Sequence, residues 1–362
     1  MVLYLTNEAA AEVLDPVVLI NCLEAGYRNF SLGKGVTPPR IDLQIPDSAG
    51  DEAYQLGIAI GGQEGGYAAL RIKSDRIYHH LVDGVSRKEK YAGSRGSYLG
   101  LVMVFDTSDG SLLAIMQDGL LQRMRVGCDS AIGVKLMARP ESSRMALLGS
   151  GGMAETHVAA ISRIRNLEEI RVFSPSLSNR EKFARHMTAL YGLNVVAAAS
   201  ALEAADGADI LCSCTNSIAP IVTPELLHAG LHVTAIGGGL TGEASALIDR
   251  ALRFGTADGP QGFNDWTYED EALVFATTGH TVAHGGTRRY ADIPADREIT
   301  FADLEAGQVA RQNERQITFS QRGNIHGIQF AAVAGAVYEL AKAKGAGVML
   351  GEVGGFFQNI RN

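Results

Sequence analysis

A glycine-rich loop is the feature of this sequence that most directly predicts chemistry. The apolar run Arg144–Gly149 leads into Gly149-Ser-Gly-Gly-Met-Ala154, a G-x-G-x-x-A pattern at the start of a helical stretch. The first glycine permits a tight turn, the second lets a pyrophosphate approach the backbone, and the alanine lets helix and strand pack closely. The helix N-terminus adds unpaired N–H groups and a positive dipole end. The residues predicted to bind a dinucleotide here are Gly149, Ser150, Gly151, Gly152, Met153 and Ala154. A strand–helix turn without a ligand is the alternative.

The residues after the next strand predict which nicotinamide cofactor binds. An NAD site usually ends this strand with an acidic residue for the ribose 2′-OH. Here Ser174 has that position, and Arg180 follows six residues later. A neutral residue removes repulsion of a 2′-phosphate, and hydroxyl and guanidinium groups can bind it. The sequence favours NADP(H), with NAD(H) as the alternative. Arg180 is alternatively an ordinary solvated helix residue.

The elements that must position this loop alternate between strand and helix from about residue 129 to residue 320. This alternation predicts a parallel sheet with right-handed crossovers. The predicted strands are Arg144–Gly149, Glu169–Phe173, Val195–Ala199, Ile210–Thr215 and Leu231–Ile236. The predicted helical segments are Met153–Ile164, Asn179–Tyr191, Leu202–Ala205 and Pro224–Leu227.

The two ends of the chain predict a second, discontinuous domain. Short apolar runs with turn signals fill residues 1 to about 128, and Gly327–Lys344 has the pattern of a long helix that can pack back on them. The predicted early elements are a helix at Asp15–Asn29 and strands at Leu3–Leu5, Gln55–Gly61, Ala68–Ile72 and Leu99–Phe105. The polar segment Ser74–Gly96 is predicted to be an exposed loop or hairpin, with His79 and His80 solvated. The fold class is therefore α/β: a Rossmann-type domain (129–322) inserted in an α+β domain (1–128 plus 323–362).

Composition excludes several classes of protein. The 362 residues carry a formal charge of −8 and a pI near 5.6, which argues against nonspecific binding to nucleic acid. No apolar run of about 18 residues predicts a membrane-spanning helix, and the acidic N-terminus does not resemble a secretory signal. The four cysteines lack the spacing of a metal or disulfide site. We expect a cytoplasmic protein without a bound metal.

Taken together, the motifs resemble the ornithine cyclodeaminase/μ-crystallin family from about Arg40 to Gly347. The segments that carry the resemblance are Gln122–Gly133, Arg139-Pro with Leu147–Ala154, Ala208–Thr215 with Ile221–Leu227, and His232–Gly239. The resemblance is to a divergent branch, in which some sequences are named as a component of tyramine oxidase. It implies a homodimer of two-domain chains and hydride transfer at the α-carbon of a small amino or imino acid. It also implies that Cys214, Thr215, Gly237 and Gly238 complete the NAD(P) site.

The resemblance also identifies substrate residues and a missing acid. Arg40 and Arg125 match the family's two arginines, Arg71 stands at its lysine position, and Lys73 lies one strand step further on the same face. Arg40, Arg71 and Arg125 are predicted to bind a substrate carboxylate, and Arg71, Lys73 and Arg125 to take part in catalysis. Ordinary salt bridges are the alternative. Gly239 replaces the family's aspartate.

The missing acid favours reduction over deamination. Oxidising an amine needs a base, whereas a protonated imine is already electrophilic and needs a hydride and orientation. Substitutes for the base are Asp118, Glu243 and His326. Their simpler roles are an ion pair with Arg123 or Arg125, a helix-start carboxylate and a helix cap. The sequence predicts an NAD(P)H-dependent imine or ketimino-acid reductase, or the reverse dehydrogenase. A cyclodeaminase and a non-catalytic, nucleotide-bound accessory protein are the alternatives.

Overall fold

The structure is a computed structural model that describes most of the 362 residues. The described ranges are 1–47, 52–82, 85–217, 219–257, 271–276, 282–287 and 292–351. For 79–82, 85–88, 271–276 and 282–287 the description is confined to the backbone. Within this part of the chain, no helix has the length and hydrophobicity needed to cross a membrane.

The elements follow one another in chain order. The first part of the chain forms β1 (Val2–Leu5), α1 (Asn7–Val13), α2 (Pro16–Ser31), β2 (Gly35–Val36), β3 (Ile41–Pro46), β4 (Glu52–Gln63), β5 (Tyr67–Val82), β6 (Val85–Tyr91), β7 (Gly100–Asp106), β8 (Leu112–Gln117) and α3 (Gly119–Met137). The middle forms β9 (Arg144–Leu148), α4 (Gly152–Ile161), β10 (Glu169–Phe173), α5 (Leu177–Tyr191), β11 (Val195–Ala197), α6 (Ala201–Ala205), β12 (Ile210–Cys214), a 3-10 turn (Pro224–Leu226), β13 (His232–Gly237), α7 (Gly242–Ala246) and β14 (Arg250–Arg253). The remainder forms β15 (Glu271–Ala276), β16 (Val282–Thr287), a 3-10 turn (Ala295–Arg297), β17 (Glu298–Thr300), α8 (Phe301–Glu305), β18 (Thr318–Gln321), α9 (His326–Lys344) and β19 (Val348–Leu350).

The chain divides into two compact units. The first unit combines Met1–Gln122, Thr256–Arg288 and Asn324–Asn362, and the second combines Arg123–Gly255 and Arg289–Gly323. The segment from 256 to 288, which the sequence-based boundaries place in the inserted domain, groups with the first unit. The reason is strand pairing, because β15 lies parallel to β3 in the first unit's sheet.

The first unit is a sheet whose inner face packs against α9. The strand order is β16-β15-β3-β4-β5-β7-β8-β1-β19, with β2 paired to β4 and β6 paired to β5. Close packing against α9 uses glycines, because an added Cβ on Gly61 would come within 2.5 Å of the Gly327 backbone. The hairpin interpretation of Ser74–Gly96 is confirmed by the antiparallel pairing of β5 with β6. Its beginning is not exposed, since Asp75 is buried.

The second unit is a parallel sheet, as the alternation of strands and helices predicts. Its order is β11-β10-β9-β12-β13-β18-β14-β17. The first five strands therefore run 3-2-1-4-5 in order of appearance, which is the arrangement of a Rossmann fold. The near-continuous burial of β9 and β12 fits a sheet that is covered on both faces.

Two histidines lie in the interior of the second unit. His157 makes hydrogen-bond contacts with the Met153 carbonyl (2.7 Å) and the Ser130 hydroxyl (2.8 Å). His232 lies 3.0 Å from the Thr318 hydroxyl. Burial lowers the pKa of His157 to about 4 and that of His232 to about 3. Both rings are therefore neutral in the folded protein near pH 7.

We expect acid to destabilise the second unit through these histidines. Below the ordinary histidine value of 6.5 the unfolded chain binds protons that the folded rings bind only near pH 4 and 3. The free energy of unfolding should therefore fall as pH drops from about 6 to 4, by about 1.4 kcal/mol per pH unit for each histidine.

Urea unfolding at several pH values between 7 and 4.5 measures this slope. The variant His157→Gln should show a shallower slope, whereas His186→Gln, on an exposed position of α5, should match the original protein. Equal slopes in all three proteins would contradict the role of His157.

Candidate functional site

The glycine loop lies where the strand order of the second unit reverses. The first strand, β9, has β10 on one side and β12 on the other. In open α/β sheets, ligands bind in the crevice at this reversal, beyond the carboxyl ends of the strands. The loop that follows β9 is therefore in the position of a nucleotide site.

The shape of the loop requires its first two glycines for different reasons. Gly149 has a φ of +119°, and an added Cβ would overlap the Cys214 carbonyl at the end of β12. Gly151 precedes α4 as its N-cap and makes no side-chain cap hydrogen bond. An added Cβ on Gly151 would meet no atom within 4 Å, so this position leaves space beside the backbone. Ala154 is fully buried, which lets α4 pack on the sheet.

The other two predicted loop residues contribute backbone. An added Cβ on Gly152 would lie 2.7 Å from Nη1 of Arg123, a flexible side-chain end. The Met153 carbonyl accepts a hydrogen bond from the Thr156 hydroxyl at 2.9 Å.

The residues predicted to choose between NAD and NADP lie beside this loop. The hydroxyls of Ser150 and Ser174 are 2.9 Å apart. Arg180 donates from Nη1 to the Ser174 carbonyl (2.7 Å), and its guanidinium lies 5.3 Å from the centre of the Phe173 ring. The structure therefore brings a serine pair and an arginine together at the end of β10. No carboxylate takes part in these contacts.

The ends of β12 and β13 approach each other through two more glycines. An added Cβ on Gly237 would overlap the Thr215 carbonyl, and one on Gly238, at φ +56°, would lie 2.6 Å from Thr215 Cγ2. Cys214 is buried, and burial raises the pKa of its thiol, so it is a packing residue. An added Cβ on Gly239 would meet no atom within 4 Å. The loop therefore has room for the acid that the sequence lacks.

These observations fit a bound nicotinamide dinucleotide. Gly151 leaves space for a phosphate at a helix N-terminus, which attracts anions. Ser150, Ser174 and Arg180 supply hydrogen-bond donors beyond it.

Three predicted substrate residues lie on one face of the first unit's sheet or at its edge, and each contacts an aspartate. Arg40 donates from Nε to Asp42 Oδ1 (3.0 Å), and a second nitrogen contacts Asp42 Oδ2. Lys73 Nζ lies 3.0 Å from Asp75 Oδ2. The remaining pair joins Arg71 Nε to Asp118 Oδ2, at 2.6 Å.

Arg71 has the most contacts of these cations. It donates to the Tyr98 hydroxyl (2.9 Å) and to Gln122 Oε1, and it lies 5.0 Å from the centre of the Phe330 ring. Tyr98 in turn donates to Asp118 Oδ2 at 3.0 Å. Burial raises the pKa of the Tyr98 hydroxyl, which therefore stays protonated. The guanidinium is thus fixed by groups from several elements.

Two glycines make room for these ion pairs. Asp42, Gly57 and Lys73 are register partners on β3, β4 and β5. An added Cβ on Gly57 would lie 2.5 Å from Asp42 Oδ1 and 2.7 Å from Lys73 Cε. An added Cβ on Gly100 would overlap the Asp118 carboxylate. Because no larger residue fits at either position, the sheet is shaped around the aspartates.

Lys73 is the cation of this group whose protonation changes near neutral pH. Burial, followed by the positive charges of Arg40 and Lys90, lowers the pKa of Lys73 to about 8. Asp42 and Asp75 oppose this shift. A lysine with this pKa can exchange a proton near neutral pH.

Arg125 lies in the second unit, on α3. It is buried, and its Nη1 is 3.5 Å from Asp129 Oδ2, one helical turn further on. All four predicted cations therefore lie beside an aspartate of their own unit.

The predicted substitutes for a base differ in their positions. Asp118 pairs with Arg71, so the sequence-based pairing with Arg123 or Arg125 is wrong; the carboxylate lies directly over Gly100, next to β5. Glu243 is exposed in the first turn of α7, consistent with a helix-start carboxylate. The N-cap of α9 is Ile325, and the buried His326 is the first helical residue. The side chains of His79 and His80 lie outside the described residues.

Sequence reasoning missed Asp42, Asp75 and Tyr98. A local signal exists for the first two, since each aspartate follows its cation by two residues, in Arg40-Ile-Asp42 and Lys73-Ser-Asp75. Residues two apart on a strand share a face. No local pattern predicts the role of Tyr98, which precedes β7 and contacts residues of β5 and of the segment before α3.

Comparison with known proteins identifies relatives of this chain. The family model described as the ornithine cyclodeaminase/mu-crystallin family matches residues 81–345. The chain is 33% identical over 236 residues to the ketimine reductase mu-crystallin of Mus musculus, covering 63% of this chain and 70% of that protein. It is 26% identical over 322 residues to a delta(1)-pyrroline-2-carboxylate reductase of Bacillus cereus, covering 88% and 90%.

A solved structure shows the same fold. It is the delta(1)-pyrroline-2-carboxylate reductase of Thermococcus litoralis in complex with NADH and L-proline, with a TM-score of 0.71 and 22% identity. The match covers 96% of this chain and all of that one. The α/β fold with a Rossmann unit and a second unit is therefore shared with this reductase.

A charge test examines the dinucleotide site. We expect Gly151→Asp to abolish nucleotide binding, because a carboxylate would face the pyrophosphate, and to leave folding intact, because the position has space. Isothermal calorimetry with NADPH and NADH measures this. Gly151→Ala is the matched control for the added Cβ and should bind more tightly than the aspartate variant. Unchanged binding by Gly151→Asp would contradict the site.

Proposed function

Because the chain belongs to the ornithine cyclodeaminase/mu-crystallin family, which its match over residues 81–345 establishes, we propose that it is an NAD(P)H-dependent reductase of an imine or ketimino acid. The observation that carries the proposal is the glycine loop at the reversal of strand order, with Ser174 and Arg180 beside it. The reverse reaction is oxidation of the corresponding amine. Relatives named as ketimine and pyrroline-carboxylate reductases support this reaction class.

The second unit holds the cofactor in this proposal. A bound nicotinamide supplies a hydride at its C4 in the reductive direction. The N–H groups at the start of α4 bind the pyrophosphate, next to Gly151. Ser174 and Arg180 bind a ribose 2′-phosphate, which makes NADP(H) the preferred cofactor over NAD(H).

The proposed substrate site contains Arg40, Arg71 and Lys73 of the first unit and Arg125 of the second. The guanidinium groups orient the substrate through planar hydrogen bonding. Lys73, with a pKa of about 8, keeps the imine nitrogen protonated during reduction. The hydride acceptor is then the electrophilic imine carbon.

The missing acid supports reduction over deamination. Gly239 supplies no base where the family resemblance places an aspartate. The substitutes are Asp118, which pairs with Arg71, and Glu243, which is exposed on α7. We therefore rank reduction above cyclodeamination.

We also propose a homodimer formed by the outer face of the first unit's sheet. Leu43, Ile45 and Ile60 are exposed apolar residues on this face. Their strand positions are opposite in phase to Asp42 and Gly57, so they point away from the ion pairs. Exposed apolar patches of this kind mark interfaces.

The direct test is calorimetric binding of NADPH and NADH, followed by a panel of cyclic and linear imines with absorbance at 340 nm. We expect tighter binding of NADPH and its oxidation on addition of an imine. Ammonia release from an amino acid without net NADH would indicate a cyclodeaminase instead. Tight nucleotide binding with no turnover across the panel would favour an accessory protein.

Cofactor choice is tested by Ser174→Asp. A carboxylate here repels a 2′-phosphate and accepts hydrogen bonds from a ribose 2′-OH, so the NADPH/NADH affinity ratio should fall by about tenfold or more. Ser200→Asp is the matched control, since Ser200 is the N-cap of α6 and tolerates aspartate. An unchanged ratio in Ser174→Asp would contradict the role of Ser174.

The role of Lys73 is tested by the pH profile of imine reduction. Lys73 is protonated below a pKa of about 8. As the proton donor it should make kcat/KM fall about tenfold per pH unit above that value. Lys73→Arg stays charged and should lose this inflection, whereas Lys34→Arg, at an exposed position, should keep it. An inflection near pH 8 in Lys73→Arg would assign the titration to another group.

A further inference from the structure

The ion pairs of the first unit neutralise the cations expected to bind a substrate carboxylate. Asp42, Asp75 and Asp118 each lie within 3.0 Å of Arg40, Lys73 or Arg71. These side chains are buried or nearly so. A substrate carboxylate would therefore have to displace an aspartate and leave that aspartate's charge uncompensated.

The sheet has been shaped to keep these aspartates. Gly57 leaves the space that Asp42 and Lys73 fill, and Gly100 leaves the space that Asp118 fills. Any side chain at either position would push the carboxylates away. The acids are therefore as much a part of the built site as the cations.

Two carboxylate oxygens of this site lack a hydrogen-bond donor. Oδ1 of Asp75 and Oδ1 of Asp118 are buried and have no partner in the part of the chain that the structure describes. Buried polar atoms nearly always have a partner, and an exception calls for a ligand or a water molecule. A carboxylate oxygen accepts hydrogen bonds, so the missing group is a donor.

The cluster reaches the surface at Tyr98. The Tyr98 residue is 42% exposed, while its hydroxyl contacts both Arg71 and Asp118. Lys90 lies at the same edge, with Nζ 5.3 Å from the centre of the Tyr98 ring. Because Lys90 is exposed, water screens its charge more than the charges of the buried pairs. A ligand can therefore approach Asp118 along Tyr98.

We propose that the substrate is a cationic imine, or the corresponding amine, without an α-carboxylate, and that its N–H group donates to Asp118. In this assignment, which rests on the proposed reductase function, Arg71 holds Asp118 in place instead of binding a substrate carboxylate. Arg40 and Lys73 hold Asp42 and Asp75 in the same way. The site recognises the positive nitrogen at which the reaction takes place.

The chemistry balances with the cofactor class already proposed. The π bond between carbon and nitrogen breaks, and its electron pair becomes the lone pair of the product nitrogen. The carbon gains a hydride from reduced nicotinamide, so the imine is reduced to an amine and the nicotinamide is oxidised. The nitrogen keeps the proton that it brought, so Asp118 acts by orientation and electrostatic attraction without gaining a proton.

A matched pair of amines tests the assignment without any turnover. Pyrrolidine and L-proline share a ring and a cationic nitrogen and differ in the carboxylate. We measure their binding to the original protein by calorimetry, with and without NADP⁺. Pyrrolidine should bind at least about tenfold more tightly, a preference of about 1.4 kcal/mol or more. Equal or tighter binding of proline, or binding of neither amine, would overturn the assignment.

A variant tests the residue. Asp118→Asn removes the charge and retains the shape, so pyrrolidine affinity should fall about tenfold or more while proline affinity rises. Asp296→Asn makes the same change at an exposed position of the second unit and should leave both affinities unchanged. If Asp118→Asn fails to fold, as circular dichroism would show, the comparison on the original protein still decides.

Activity separates this assignment from the proposed function. The imines 1-pyrroline and Δ1-pyrroline-2-carboxylate are compared by kcat/KM with NADPH. A preference for 1-pyrroline supports both proposals. A preference for the carboxylate imine overturns the assignment and keeps the reductase. No oxidation of NADPH by any imine contradicts the reductase, and the binding of the two amines still decides the assignment.

Discussion

Burying several cations on one face of a sheet is the constraint on which the first unit depends. A buried charge needs a counter-ion, and breaking a buried pair costs about 3–5 kcal/mol. Lys73 and Arg71 follow each other on one face of β5, so two carboxylates must fit within a few ångströms of the same strand. The space comes from neighbouring strands, where Gly57 and Gly100 have no side chain. Removing a Cβ at two register positions is thus what permits a charged layer inside a sheet that packs against α9.

Missing side chains also shape the second unit, for a different purpose. The carboxyl ends of β9, β12 and β13 approach one another through Gly149 and Gly237, whose added Cβ atoms would overlap neighbouring carbonyl groups. This brings three strand ends together at the reversal of strand order. At Gly151 the added Cβ would instead meet empty space. The glycines of one loop therefore divide into those that permit backbone contact and one that leaves room for a ligand.

The sequence predicted those features whose signals are local. The glycine loop, the alternating elements of the second unit and the long C-terminal helix were each readable because one segment contains the whole pattern. The ion pair of Lys73 with Asp75 was readable for the same reason, from two residues that share a strand face. The pair of Arg71 with Asp118 joins residues 47 positions apart, and only the pairing of β5, β7 and β8 brings them together. The parallel pairing of β15 with β3 is equally nonlocal, so the boundary of the inserted unit could not be placed from sequence patterns.

Transfer of a label from the cofactor tests the central claim, reduction of an imine carbon, most directly. NADPH carrying deuterium at C4 is incubated with the protein and 1-pyrroline, and the product is analysed by mass spectrometry and NMR. The account predicts pyrrolidine with one deuterium at the former imine carbon when the labelled face of the nicotinamide is the one used, so both C4 epimers are tested. Unlabelled product from both epimers, or label that remains in the nicotinamide while ammonia is released from an amino acid, would contradict it.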